Sequence, residues 1–153
     1  MAELNPLIET WNIHARINAY LLETLDEEQL DAKLAKGRTP RAQFVHMHNV
    51  RLMWFKSARP DLLDGLEKLE NDASKEKLLG ELQKSSMAVE TMLADSLEGD
   101  GRIKGFKPHV HGYIGYLISH ESHHRGQVEI MLRLAGLAIS DKTSFGLWEW
   151  GSR

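Results

Sequence analysis

Four long stretches of this chain repeat apolar residues every three to four positions, and no stretch of comparable length alternates apolar with polar residues as a half-buried strand would. That periodicity confines the chain to an all-α fold, with the four stretches as the helices of a bundle. With 153 residues, 42% of them hydrophobic, one core and one domain spanning 1–153 are expected.

The start and stop signals set the bounds. Asn5 is an N-cap followed by Pro6 at the first helical position, and Leu7, Trp11, His14, Asn18, Leu21 and Leu25 share one stripe, so the first helix runs from Pro6 to about Leu25. The charged segment Asp26 to Arg38 reads as a connector with at most a short turn around Leu30 and Leu34. Thr39 and Pro40 open the second helix, which runs to about Ser57 ahead of the Arg59-Pro60 break and carries His46, Val50, Met53 and Trp54 on its expected inner face. A second connector spans Pro60 to Ala73. The third helix, Ser74 to about Leu97, has Leu78, Leu82, Val89 and Leu93 on its core stripe and ends in Glu98-Gly99-Asp100-Gly101. The fourth, from Pro108 to about Ala135 with Gly136 as its stop, aligns Tyr113, Leu117, His120, His124, Val128, Met131 and Ala135. Trp148 and Trp150 give the tail enough apolar area that it should pack on one end of the bundle or on a partner.

Several function classes are disfavoured by composition. The net charge is −3 with dispersed Lys and Arg, so no basic stripe exists to follow a nucleic acid. The opening Met-Ala-Glu-Leu-Asn-Pro lacks the regions of a secretory signal, no apolar run approaches the ~20 residues of a membrane span, and a cytoplasmic protein is expected. There are no cysteines, which leaves any metal site to histidine, carboxylate and water.

Eight histidines are present. His120 and His124 lie four residues apart, one above the other on a helix face, close enough to share an ion. His46 supplies a third nitrogen if the second and fourth helices are neighbours, whereas His48 points about 160 degrees away at ~100 degrees per residue. A lone inward histidine is more often a hydrogen-bonded core residue than a ligand, and that alternative stands for His46 alone and for His14. His48 joins Phe44, Arg51 and Phe55 in a second stripe expected to pack on another element or subunit. His123 flanks the inward face, and His109 and His111 begin the fourth helix.

His120-Glu121-Ser122-His123-His124 also reads as H-E-x-x-H, the string with which zinc peptidases bind metal and position a general-base glutamate. A third ligand downstream would have to be Asp141 or Glu149, and the usual sheet edge that aligns a peptide is missing, so peptidase chemistry is disfavoured. A paired di-iron carboxylate site fails because Glu121-x-x-His124 is the sole Glu-x-x-His on these helices.

The run His120-Glu121-Ser122-His123-His124-Arg125-Gly126-Gln127 resembles the H-x-x-x-H-R-G-Q signature of DinB/YfiT-like proteins. Phe44 to Trp54 looks like that family's second-helix motif, and the Trp11-Asn12 start and the Leu147 to Gly151 ending are similar too. The resemblance implies a four-helix bundle holding a divalent ion, zinc or nickel, on His46, His120 and His124. It also implies a homodimer, and in some members a transferase using a low-molecular-weight thiol such as bacillithiol or mycothiol. Gly126, about 1 kcal/mol less favourable than alanine inside a helix, suggests close approach by a neighbouring helix. Gln127 lies near the His120 direction and is a candidate hydrogen-bond partner of the site.

Three protein ligands leave a coordination position free, as in catalytic rather than structural metal sites. A thiol or water there would be acidified into a nucleophile, and without cysteine the sulfur must come from a cosubstrate that attacks an electrophilic small molecule. Tyr113, Tyr116 and Glu121 are the candidate catalytic groups, the tyrosines as hydrogen-bond or proton donors, or else as core aromatics of the bundle, and Glu121 as a support for an imidazole or a part of the pocket wall. The competing class is a metal-binding, stress-related bundle protein without turnover. The Phe44, His48, Phe55 stripe and the Trp-rich tail point to a dimer.

Overall fold

The computed structural model describes residues 4–153; Met1 to Glu3, part of the leader-region reading, lie outside the described residues. Four long helices, α1 (Pro6–Thr24), α3 (Pro40–Ala58), α4 (Lys75–Glu98) and α5 (Val110–Leu134), form the bundle, with short helices α2 (Glu27–Leu30) and α6 (Asp141–Gly146). No strand occurs among the described residues, where the pairing of Arg102 with His109 is an isolated bridge. No described helix is long and apolar enough to cross a membrane.

Side-chain caps fix the starts. Asn5 accepts from the Leu7 amide at 2.8 Å, Thr39 from Ala42 at 3.1 Å and Ser74 from Lys77 at 3.1 Å, each satisfying an amide that the first turn leaves without a partner. The fourth long helix starts two residues later than Pro108, because His109 is its cap and accepts from the Gly112 amide through Nδ1 at 3.0 Å. In the first connector the helical turn is α2, and Leu34 lies outside it.

Cross-helix pairs give the directions. Trp11 reaches Ser86 and the end of α1 reaches Lys75, so α1 and α4 are antiparallel. Asn18 meets both Glu121 and Arg125 while His14 meets Glu121, so α1 runs parallel to α5. His46 lies by His124 and Trp54 by Tyr113, so α3 and α5 are antiparallel. The order is up-down-down-up. Parallel α3 and α4 require the chain to travel back along the bundle, which the second connector does while clasped to α3. The Asn49 side-chain amide donates to the Leu69 carbonyl at 2.8 Å and accepts from the Leu69 amide at 3.0 Å.

The core has two apolar clusters separated by a polar layer. One contains Ile17, Leu21, Phe44, Met47, Leu78, Val128 and Leu132, the other Trp11, Phe55, Val89, Leu93, Tyr113 and Leu117. Between them lie buried His14, His48, Arg51, Ser85 and Glu121.

This layer corrects the expected orientation of α3. Its buried side carries Phe44, Met47, His48, Arg51 and Phe55, whereas Met53 is 67% exposed and His46 and Trp54 sit half-buried at the edge. The pattern turns Arg51 and His48 away from His46, on a stripe expected against another element or a subunit; inside the bundle each finds enough partners to be neutralised or satisfied. The Phe44, His48, Arg51, Phe55 stripe therefore packs within the chain and offers no subunit contact. Gly126 has open space where a Cβ would stand, so no neighbouring helix approaches it closely. The tail packs on the bundle through Leu147 and Trp150, and Trp148 remains 79% exposed.

Candidate metal centre

His120 and His124 project from adjacent turns of α5 toward the α3 seam, where α3 presents His46. Ligating atoms of the three lie within 4.8 Å of one another. The Nε2 atoms of His120 and His124 are 3.2 Å apart. Nitrogens bound at about 2.0–2.1 Å to one tetrahedral ion stand roughly 3.3 Å apart, so this pair already has the spacing such an ion imposes. The ring of His46 is 4.4 Å from that of His124 and 5.3 Å from that of His120.

Gln43, one turn before His46, fixes the tautomer. Its side-chain oxygen accepts from His124 Nδ1 at 2.7 Å, which puts the proton on Nδ1 and leaves Nε2 with a lone pair facing the triad. His120 Nδ1 has no hydrogen-bond partner. Burial lowers the pKa of all three imidazoles. The other triad histidines, His123 and Arg38 add repulsion that takes His124 to about 4. At neutral pH the three rings are uncharged, as ligation requires. The residues fit a divalent ion in donor type, spacing and protonation state.

A model of the DinB family matches residues 1–143. The chain belongs to the DinB family. No curated protein and no solved structure matches it. In this DinB-family bundle, His46, His120 and His124 are near enough to hold one ion, and the site sits at the rim of the α3–α5 seam rather than in the core. The two helix-α5 histidines and His46 come together, while His48 is excluded. Its Nε2 donates to the Glu67 carbonyl at 2.7 Å and its Nδ1 pairs with the Ser85 hydroxyl at 3.0 Å, so neither nitrogen is free.

Glu121 points the other way. It is fully buried, and Arg51 clasps it with Nε on Oε2 at 2.8 Å and Nη2 on Oε1 at 2.7 Å. His14 and Asn18 also donate to Oε1, at 3.1 and 3.0 Å, and Arg125 secures Asn18 at 2.7 Å. Burial alone would raise this carboxyl. The Arg51 charge and its hydrogen bonds, with those of His14, outweigh that and hold it at about 2. It is neither a general base beside the ion nor a support of a triad imidazole, the one it holds being that of His14, and the H-E-x-x-H string does not have peptidase geometry here.

Of the two tyrosines, Tyr113 is fully buried with an unpartnered hydroxyl, and burial raises its pKa. Tyr116, one turn before His120, is 41% exposed on the seam. Gln127 is exposed and Gln43 occupies the role expected of it. The signal for Gln43 was its place three residues before His46, on the side turned to α5. Arg51, His14 and Asn18 were not foreseen as a unit because their partners come from three helices. His123 is exposed, with its ring 4.9 Å from that of His124. A separate cleft of about 450 Å³ lies between α1 and α4, across the bundle from the triad, and reaches Asn18 and Arg51 at its floor.

Proposed function

We propose that this protein binds one divalent ion, zinc or nickel, through His46, His120 and His124, and uses it to activate a small thiol or water against an electrophilic small molecule. The observation that carries the reading is the meeting of the Nε2 atoms of His120 and His124 at 3.2 Å on the rim of the α3–α5 seam, with a third imidazole alongside. When bound, the ion supplies Lewis acidity that lowers the pKa of a thiol or water at a position the three histidines leave free.

The residues of the chain do the rest. Gln43 orients His124 and keeps its proton on the far nitrogen. Depressed imidazole pKa values keep the ligands neutral at pH 7. Tyr116, at the mouth of the seam, offers a phenol that can hydrogen-bond the electrophile or give a proton to its leaving group. The chain has no cysteine, so a transferred sulfur would belong to the cosubstrate. A homodimer belongs to this reading, with the exposed Phe145 and Trp148 as its contact, and a single-chain mass at micromolar concentration would remove it.

Metal analysis of protein purified without a histidine tag tests the site. About one ion per chain, lost in His120→Ala, is expected; a content well below one that His120→Ala leaves unchanged refutes it. Turnover is tested by assaying metal-loaded protein with panels of small thiols and electrophiles. Full metal occupancy with no metal-dependent product would return the protein to the class of bundles that bind an ion without chemistry.

A further inference from the structure

Next to the triad the same seam is lined with aromatic rings. Trp54 is the hub, in edge-to-face contact with Tyr113 at 5.2 Å between centroids, Tyr116 at 5.7 Å and Phe106 at 6.0 Å, with interplanar angles near perpendicular at 83°, 78° and 81°. Phe106 closes the group against Tyr113 and Tyr116 at 5.4 and 5.5 Å. Tyr113 is fully buried and anchors the set to the core, while Trp54 and Phe106 are half-buried and Tyr116 is 41% exposed. The set therefore has a fixed back and an open front.

Helix register ties this wall to the triad. Tyr116 precedes His120 by one turn on α5, and Val50 and Trp54 follow His46 by one and two turns on α3. Because α3 and α5 are antiparallel, both series advance toward the same end of the bundle. At 1.5 Å per residue the wall begins about 6 Å from the histidine level and ends about 12 Å from it. Packed rings lose little freedom when another ring or alkyl group joins them, so such a surface binds apolar groups at low entropic cost.

We propose that Trp54, Phe106 and Tyr116 receive an aromatic or extended apolar arm of the same small molecule whose donor atom reaches the metal. This rests on the metal-site reading and assigns a substrate class to it: the donor and the apolar group are separated by about two or three bonded atoms, the spacing that bridges 6 Å. The wall selects molecules by what they carry away from the reacting atom.

Cobalt(II)-loaded protein reports on thiol binding through its visible absorption. Titration with ethanethiol, 2-phenylethanethiol and 3-phenylpropane-1-thiol should show the phenyl compounds binding about tenfold more tightly than ethanethiol, the scale expected for burying one ring against aromatic neighbours. In Tyr116→Ala, whose residue is exposed enough for the fold to tolerate its loss, that ratio should fall to about twofold. Trp54→Ala should do the same, with helical circular dichroism confirming folded protein. Equal affinities in the wild type, or a ratio that Tyr116→Ala leaves unchanged, overturns the inference. If cobalt is taken up without phenyl discrimination, only this inference fails; if no cobalt is taken up, the metal reading fails with it.

Discussion

Replacing Glu121 by glutamine separates two uses of the H-E-x-x-H string. Gln keeps the volume but presents one oxygen and one amide group to an Arg51 fork that needs two acceptors, in a site where Arg51 is 1% exposed and Glu121 is fully buried. Breaking one side of a buried pair costs about 3–5 kcal/mol, because the remaining charge stays buried without its partner. Proton linkage gives a similar figure: a carboxyl moved from 4.5 to about 2 on folding contributes on the order of 3 kcal/mol at neutral pH. For a chain of this length that is roughly 6–20 °C in melting temperature. Since the folded pKa lies below the unfolded value, the contribution is complete above about pH 4.5 and disappears as pH falls toward 2. Thermal melts followed by circular dichroism should therefore show a large deficit for Glu121→Gln at pH 7 that narrows below pH 4.5. Metal content measured well below the melting temperature should match the wild type. A Glu121→Gln protein that melts within about 2 °C of wild type but loses its metal would refute the reasoning and return Glu121 to the ion.

Three further outcomes follow from the geometry. Zinc affinity measured by calorimetry should hold nearly level from pH 8 to about 6.5 and then fall, because protons compete only below the ordinary imidazole value when all three pKa values are lowered; a steep loss already between pH 7.5 and 6.5 would contradict it. Gln43→Leu should weaken metal binding by about 10–100-fold through loss of the bond that orients His124, and a change of less than twofold would show that the bond is incidental. Gly126→Ala, entering open space in a helix, should add about 1 kcal/mol, while Gly146→Ala meets the Tyr20 ring at 2.5–2.8 Å and should lose about 1–3 kcal/mol; melts in the reverse order would overturn both.

The helices were legible where local chemistry decides them. Asn5-Pro6, Thr39-Pro40 and Ser74 mark starts through their own side chains, and the i, i+4 spacing of His120 and His124 follows from one helix alone. Histidine is not a usual cap, so the start at Val110, capped by His109, was placed two residues early at Pro108. The face of α3 was misjudged for a deeper reason. Hydrophobic patterning assumes that charge faces water, and Arg51 and His48 face inward because α4, α5 and the second connector supply their partners from elsewhere in the chain. His46 was nonetheless grouped with the right neighbours, since its edge position follows from the same register whichever side is buried. Gly126 misled because a glycine in a helix suggests contact, whereas here it faces open space.

The polar layer and the triad lie at one level of the bundle, and the first holds the second in register. Glu121 and His120 are adjacent on α5, about 100 degrees apart, so fixing the carboxylate in the core turns His120 to the rim, where buried His124, one turn on, faces the same seam. Arg51 binds that carboxylate from α3, and His46 lies just over one turn before Arg51 on the same helix. A single buried pair thereby sets the sliding of α3 along α5 that determines whether His46 meets the other two histidines. The bond between Gln43 and His124 then adjusts one ring within that frame. An ion at the rim would bridge the same two helices and add RT ln(1 + [metal]/Kd) to stability. Metal-dependent stabilisation should thus shrink when Arg51 and Glu121 are both replaced by leucine, whereas Glu121→Gln still offers Arg51 one acceptor oxygen and so keeps the register. Apolar packing can restore the core, as in other buried pairs, but leucines carry no bidentate constraint on helix register.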